Sequence, residues 1–187
     1  VIVGDGKVGS TLTQYLSKEG HDIVVIDNNT KVVKSVADKY DAIAIEGNGA
    51  SYDVQMAAGV NKCDLLIAAT SSDELNIMCC MLAKKIGAEH TIARVSNPEY
   101  AKQLIFMRKE LGLSMSVNPE YEAANDISRT LRFPSTVQID VFAKGRIELA
   151  EIRITSESQL DGLQLAKMYG KYKIKIVNER SFSSGEP

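Results

Sequence analysis

Three glycines near the start of the chain, Gly4, Gly6 and Gly9, follow directly on the apolar run Val1-Ile-Val3. Their G-x-G-x-x-G spacing suits phosphate binding. The first glycine permits a tight turn from strand to helix. The second lets the backbone come close to a pyrophosphate, and the third lets the helix pack on the strand. Unpaired N–H groups at the helix start, with the positive end of its dipole, then face the anion. Asp5, Lys7 and Val8 stand between the glycines. Lys7 is either a charge beside the phosphates or a solvated lysine. Asp27 lies 23 residues beyond Gly4, at the end of a second apolar run. An acidic residue at that spacing accepts hydrogen bonds from ribose hydroxyls. It also repels a 2′-phosphate, which favours NAD or an adenine nucleotide over NADP.

These residues need elements to hold them. A helix is expected from about Val8 to Lys18, with Val8, Leu12, Tyr15 and Leu16 on its inner face and Gly20 at its end. Ile23–Ile26 reads as a buried strand, and Asn28, Asn29 and Thr30 offer caps for a helix to about Lys39. Strands are expected at Ala42–Ile45, Asp64–Ala69, Thr91–Val95 and Ser114–Val117. Helices separate them, one opening on the capping-box pattern Ser71-x-x-Glu74. Asn97-Pro-Glu-Tyr100 recurs as Asn118-Pro-Glu-Tyr121, which reads as shared helix-start chemistry.

Strands alternating with helices imply a Rossmann-like, doubly wound parallel sheet, whose ligands bind at the C-terminal ends of the strands. Those ends carry the glycine loop, Asp27, Gly47 with Asn48, Thr70 with Ser71, and Arg94. Ser71 would touch a ligand or merely cap the following helix. An arginine as deep as Arg94 needs an anionic partner, and a phosphate or an internal carboxylate would serve equally.

The pattern changes after Pro134. Val137–Phe142 and Ile147–Ile154 alternate like half-exposed strands about the turn Lys144-Gly145-Arg146. Leu160, Leu163 and Leu165 form a small apolar patch, Lys173–Val177 reads as another strand, and Ser181–Pro187 as a plain tail. This divides the chain into a nucleotide-binding domain, 1–135, and a small α+β lobe, 136–187. The second unit is near the size at which a lone core is marginal.

Composition narrows the function. Of 187 residues, 44% are apolar and 25% charged, with a net charge of −2. Neither a broad nucleic-acid footprint nor disorder is expected. No apolar run approaches the roughly 20 residues of a membrane span, and no signal peptide is visible. Cys63, Cys79 and Cys80 lack metal-site spacing and read as small apolar residues in a reducing compartment. His21 and His90 are expected at the surface, which leaves no evident proton donor or acceptor for hydride transfer.

Six stretches in order resemble one family, the nucleotide-binding (RCK/KTN) domain of TrkA-type potassium-transport regulators of Trk and Ktr systems. They are Val1–Gly9, Val25-Ile-Asp27, Glu46-Gly-Asn48, Ala68-Ala-Thr70 with Asp73-Glu-Leu-Asn76, Ile92-Ala-Arg-Val-Ser-Asn-Pro98, and Val117-Asn-Pro-Glu120. Residues after about 140, notably Leu160–Leu165 and Tyr172–Ile176, are similar to the beginning of the family's C-terminal lobe. The resemblance implies a non-catalytic cytoplasmic subunit, peripheral at the inner face of the membrane, that gates a potassium transporter. It implies NAD(H), ATP or ADP as ligand, held by Gly4 to Gly9, Asp27, Asn48, Thr70, Ser71 and Arg94. It further implies dimers that pair through the helix after the sixth strand and assemble into rings. Two alternatives are an NAD-dependent oxidoreductase whose substrate domain comes from another chain, and a redox-sensing repressor. The repressor would need a basic winged helix, which this sequence lacks.

Overall fold

Continuous apolar runs too short for helices form the sheet of the first unit, as strands covered by helices on both faces require. The computed structural model describes residues 1–132, 136–142 and 147–164. The chain divides into two units, Val1–Asp126 and Ile127–Pro187.

In the first unit the elements run β1 (Ile2–Val3), α1 (Lys7–Lys18), β2 (Ile23–Asp27), α2 (Thr30–Lys39), β3 (Ala42–Glu46) and α3 (Tyr52–Ala57). After a 3₁₀ turn at Val60–Lys62 come β4 (Leu65–Ala68), α4 (Asp73–Ile86), β5 (His90–Arg94), α5 (Pro98–Met107), β6 (Met115–Val117) and α6 (Pro119–Arg132), whose residues from Ile127 on belong to the second unit. The six strands form one parallel sheet in the order β3-β2-β1-β4-β5-β6. Strand order reverses between β1 and β4, so the switch point opens beside the glycine loop.

Alternate residues of β1 face opposite layers. Ile2 joins Ile23, Val25 and Val36, with Leu12 and Leu16 against them. Val3 joins Ile26, Leu66, Ala68, Cys79, Cys80 and Leu104 in the larger core. Full burial of each such aliphatic side chain contributes about 1.5–3 kcal/mol. The expected inner face of α1 needs one correction. Tyr15 is exposed, and Gly9 and Thr13 are the buried positions. The small residues Gly9 and Thr13 let α1 lie close to the glycine loop, and that turns Tyr15 outward.

Asn97 and Asn118 do share capping chemistry. Asn97 Oδ1 accepts from the Glu99 N–H at 2.9 Å, and Asn118 Oδ1 from the Tyr121 N–H at 2.9 Å.

In the second unit, β7 (Thr136–Phe142) and β8 (Ile147–Ile152) form an antiparallel pair that aligns Ile139 with Ala150 and Phe142 with Ile147. β8 stops two residues short of the expected Ile154. The helix stop at Pro134, the turn at 144–146, Leu165, the strand at 173–177 and the tail lie outside the described residues.

Candidate nucleotide site

The glycine loop is built by contacts that only glycine allows. Gly4 has a φ of +86°, and a Cβ there would lie 2.8 Å from Thr70 Cγ2. A Cβ on Gly9 would lie 1.9 Å from the Gly4 carbonyl oxygen. Gly6 differs, since a Cβ there would meet nothing within 4 Å. Its open side is where a phosphate can approach. Gly6 is also the N-cap of α1, with no side-chain hydrogen bond to the helix and no acidic residue in the first turn. The positive end of the helix therefore faces the open side of the loop with no acidic side chain in its first turn. Lys7 and Val8 begin that helix, and Lys7 is exposed.

The end of β2 ties the loop down. Asp27 Oδ2 accepts from the Asp5 N–H at 2.8 Å, and Oδ1 accepts from the Asn29 N–H at 2.9 Å. A carboxylate offers about four lone-pair sites, so Asp27 keeps acceptor capacity for hydroxyl donors. Its carbonyl accepts from the Gly47 N–H at 2.9 Å, which places Asn48 at the same sheet end. Asn48 is exposed, and its Oδ1 accepts from the Ala50 N–H at 2.9 Å.

Asp5 is at the motif's first variable position, and its side chain turns toward α1. Thr13 Oγ1–H donates to Asp5 Oδ1 at 2.9 Å, and Thr13 is fully buried. Burial pushes the Asp5 carboxyl above its ordinary value; the Thr13 hydrogen bond opposes this and the Asp27 charge adds to it.

Thr70 and Arg94 come together at the ends of β4 and β5. Arg94 Nη1 donates to the Thr70 carbonyl at 3.2 Å, and Nη2 is bonded to the carboxylate of Glu120 in the first turn of α6. The internal carboxylate open to Arg94 is thus Glu120. The expected capping box at Ser71 is also corrected. Ser72 is the N-cap of α4, accepting from the Leu75 N–H at 3.2 Å, and its hydroxyl donates to Glu74. The chain turns one residue later than the motif suggested because Thr70 is pinned to Asn76, so Ser71 is left exposed and outside the cap. Beside it a shallow, open cleft of about 480 Å³ runs between Ser71–Glu74 and Ser96–Tyr100.

The residues around this sheet end match the TrkA-N domain family model over residues 1–119. The chain belongs to the TrkA-N family. The Trk system potassium uptake protein TrkA homolog of Archaeoglobus fulgidus is 33% identical over 178 residues, covering 95% of this chain and 40% of that protein. The TrkA homolog of Methanothermobacter thermautotrophicus is 32% identical over 156 residues, covering 83% of this chain and 70% of that protein. The chain thus spans about two fifths of the length of the Archaeoglobus relative. Among solved structures, the TrkA-N domain of inner membrane protein ybaL from Escherichia coli superposes with a TM-score of 0.62 at 23% identity, covering 70% of this chain and 93% of that one. The GsuK channel bound to NAD gives a TM-score of 0.58 at 19% identity, covering 76% and 25%. The same channel bound to ADP gives 0.53 at 21%, covering 63% and 30%.

Two side chains that frame this TrkA-N site went unassigned in the sequence reading. Asn76, fully buried on α4, accepts from the Thr70 N–H at 2.9 Å and Oγ1–H at 2.7 Å, and donates to the carbonyls of Thr70 at 3.1 Å and Arg94 at 2.9 Å. Asp73 accepts from the N–H groups of Ser96 at 2.9 Å and Asn97 at 2.7 Å. Both belong to the quoted Asp73–Asn76 stretch, and polar residues three apart on a helix face were the available signal. His21 and His90 are exposed, and His90 opens β5 while Arg94 closes it. Among the described residues, no helix is long and apolar enough to cross a membrane, and no cluster of His, Cys, Asp and Glu could hold a metal.

Proposed function

We propose that the chain is the nucleotide-sensing part of a regulator that gates a membrane potassium uptake transporter, and that it is not an enzyme. One observation carries the nucleotide reading: Gly6 opens onto free space beside an uncapped helix start, with the Asp27 carboxylate held at the adjoining strand end. This arrangement fits an adenine nucleotide. The first-turn N–H groups of α1 bind its phosphates, with Lys7 beside them, and Asp27 accepts the ribose hydroxyls. Asn48, Thr70 and Ser71 line the remaining strand ends. NAD(H), ATP and ADP share the adenosine half that these groups recognise, and GsuK structures bound to NAD and to ADP support the same ligand set. The names of the TrkA relatives support the potassium transporter as partner.

The assignment of residues 1–135 to the nucleotide domain and 136–187 to a second lobe belongs to the same proposal. So do pairing of copies through α6, assembly into a ring and placement at the inner face of the membrane. Exposed Ile127 and Leu131, four residues apart on α6, support pairing there.

Calorimetric titration of the purified chain with NADH and ATP tests the nucleotide reading. Saturable one-site binding that is weakened in Asp27→Ala is expected. Absence of binding to every adenine nucleotide at millimolar concentration would overturn it.

A further inference from the structure

Arg94 is held deep in the fold, whereas its partner Glu120 lies exposed, its Oε2 accepting only a long hydrogen bond from the Ser96 hydroxyl at 3.5 Å. The Arg94 side chain is only 19% exposed and is held by the Thr70 carbonyl, while the Glu120 side chain is 60% exposed. Thr70 itself packs against Gly4, so the guanidinium lies one residue from the glycine loop. Arg94 Nε is buried and has no hydrogen-bond partner, so the group's donors are not all satisfied by Thr70 and Glu120. A planar guanidinium fork binds phosphate oxygens as readily as a carboxylate, and a terminal phosphate brings more charge than one glutamate. The exposed Glu120 carboxylate can return to water, and the phosphate that replaces it leaves the deep guanidinium paired. The other acid nearby, Asp73, is committed to the Ser96 and Asn97 N–H groups.

Resting on the nucleotide-site reading, we infer that Glu120 is an internal competitor for Arg94, which ligands with a terminal phosphate must displace. The exchange frees the first turn of α6. The rest of the junction stays in place, since the Val95 N–H still donates to the Val117 carbonyl at 2.8 Å and Asn118 Nδ2 to the Ser96 carbonyl at 2.9 Å. A dinucleotide, whose phosphates both lie in the bridge over α1, leaves the Arg94–Glu120 pair closed. ATP opens it. Two ligands sharing one adenosine site thereby favour two states of α6, as opposing effectors must.

The test is Glu120→Gln, which keeps the shape and removes the charge. ATP, AMP and NADH are titrated into wild type and variant without divalent cations, and hydrogen exchange of the α6 amides is followed with each ligand. ATP should bind the variant about five-fold more tightly, with AMP and NADH changed less than about two-fold. In wild type, ATP but not NADH should speed exchange in the first turn of α6. Unchanged or weaker ATP binding in the variant overturns the inference, as does an equal gain for all three ligands or unchanged exchange. If wild type binds NADH but not ATP, the competitor is wrong and the nucleotide site stands. If wild type binds none of the three, both fall.

Discussion

The carboxylate of Asp27 receives the backbone N–H of Asp5 at 2.8 Å, across 22 positions of the chain. The residue expected to accept ribose hydroxyls is therefore also the clasp of the glycine loop. Asp27→Ala should weaken AMP, ADP, ATP and NADH alike, and should also destabilise the fold by about 1.5–3 kcal/mol, the range for a hydrogen bond to a charged group. Titration calorimetry and urea unfolding report the two effects separately. Lost binding with an unchanged unfolding midpoint would show that the clasp carries no stability.

The three loop glycines should fail in different ways. Gly9→Ala drives a methyl into the Gly4 carbonyl, and Gly4→Ala meets Thr70 at a positive φ, so both should unfold or lose several degrees of melting temperature. Gly6→Ala meets nothing in the fold. Its melting temperature should stay near wild type while phosphate-bearing ligands bind far more weakly. A Gly6→Ala chain that binds ATP normally would remove the phosphate from this loop.

Asn76 holds β4 and β5 at their common end through four hydrogen bonds. Asn76→Leu keeps the branching of the side chain, adds bulk at a fully buried position and leaves the Thr70 N–H and the Arg94 carbonyl without that partner. A loss of about 2–4 kcal/mol is expected, since each buried group left unpaired costs about 1–3 kcal/mol. Asn76→Asp should be no better, because it restores the acceptor and places a negative charge against two carbonyls. Chemical denaturation of both variants decides this.

Asp5 sets a pH dependence of definite sign. Its carboxyl titrates above its ordinary value in the folded chain, chiefly through burial. The folded state then holds the proton more tightly than the unfolded state does. Its contribution is fully present below the ordinary carboxylate range and is lost as pH rises through the raised value. Asp5→Asn removes that loss and should melt higher than wild type near about pH 7, with the gap closing toward about pH 4. A lower melting temperature for the variant near neutrality would show that the Thr13 bond to the carboxylate outweighs its burial.

The buried thiols should be inert. Burial pushes Cys79 and Cys80 up to about 12, while Cys63 is only half-buried and also raised. Labelling of native protein with a thiol reagent near neutral pH should modify Cys63 first and slowly, with the other two reacting only after unfolding. Mass spectrometry of the labelled peptides reads the order.

The strands, the glycine loop and Asp27 were legible in the sequence because each rests on local rules. A β-branched run between two helical patterns has few other places to go, and a G-x-G-x-x-G turn needs its glycines whatever surrounds it. The cap of α4 and the partner of Arg94 were not legible. Ser71 and Ser72 are equally good caps by composition, and the choice fell to Ser72 because Asn76, inside the core, pins Thr70. Arg94 demanded an anion, but only the return of the chain at β6 brings Glu120, 26 residues on, to meet it. Sequence alone nominated the groups expected to meet a nucleotide, since that expectation depends on residue type and short spacing. Tertiary structure decided which of those groups are already engaged within the protein, since that depends on contacts between segments far apart in the chain.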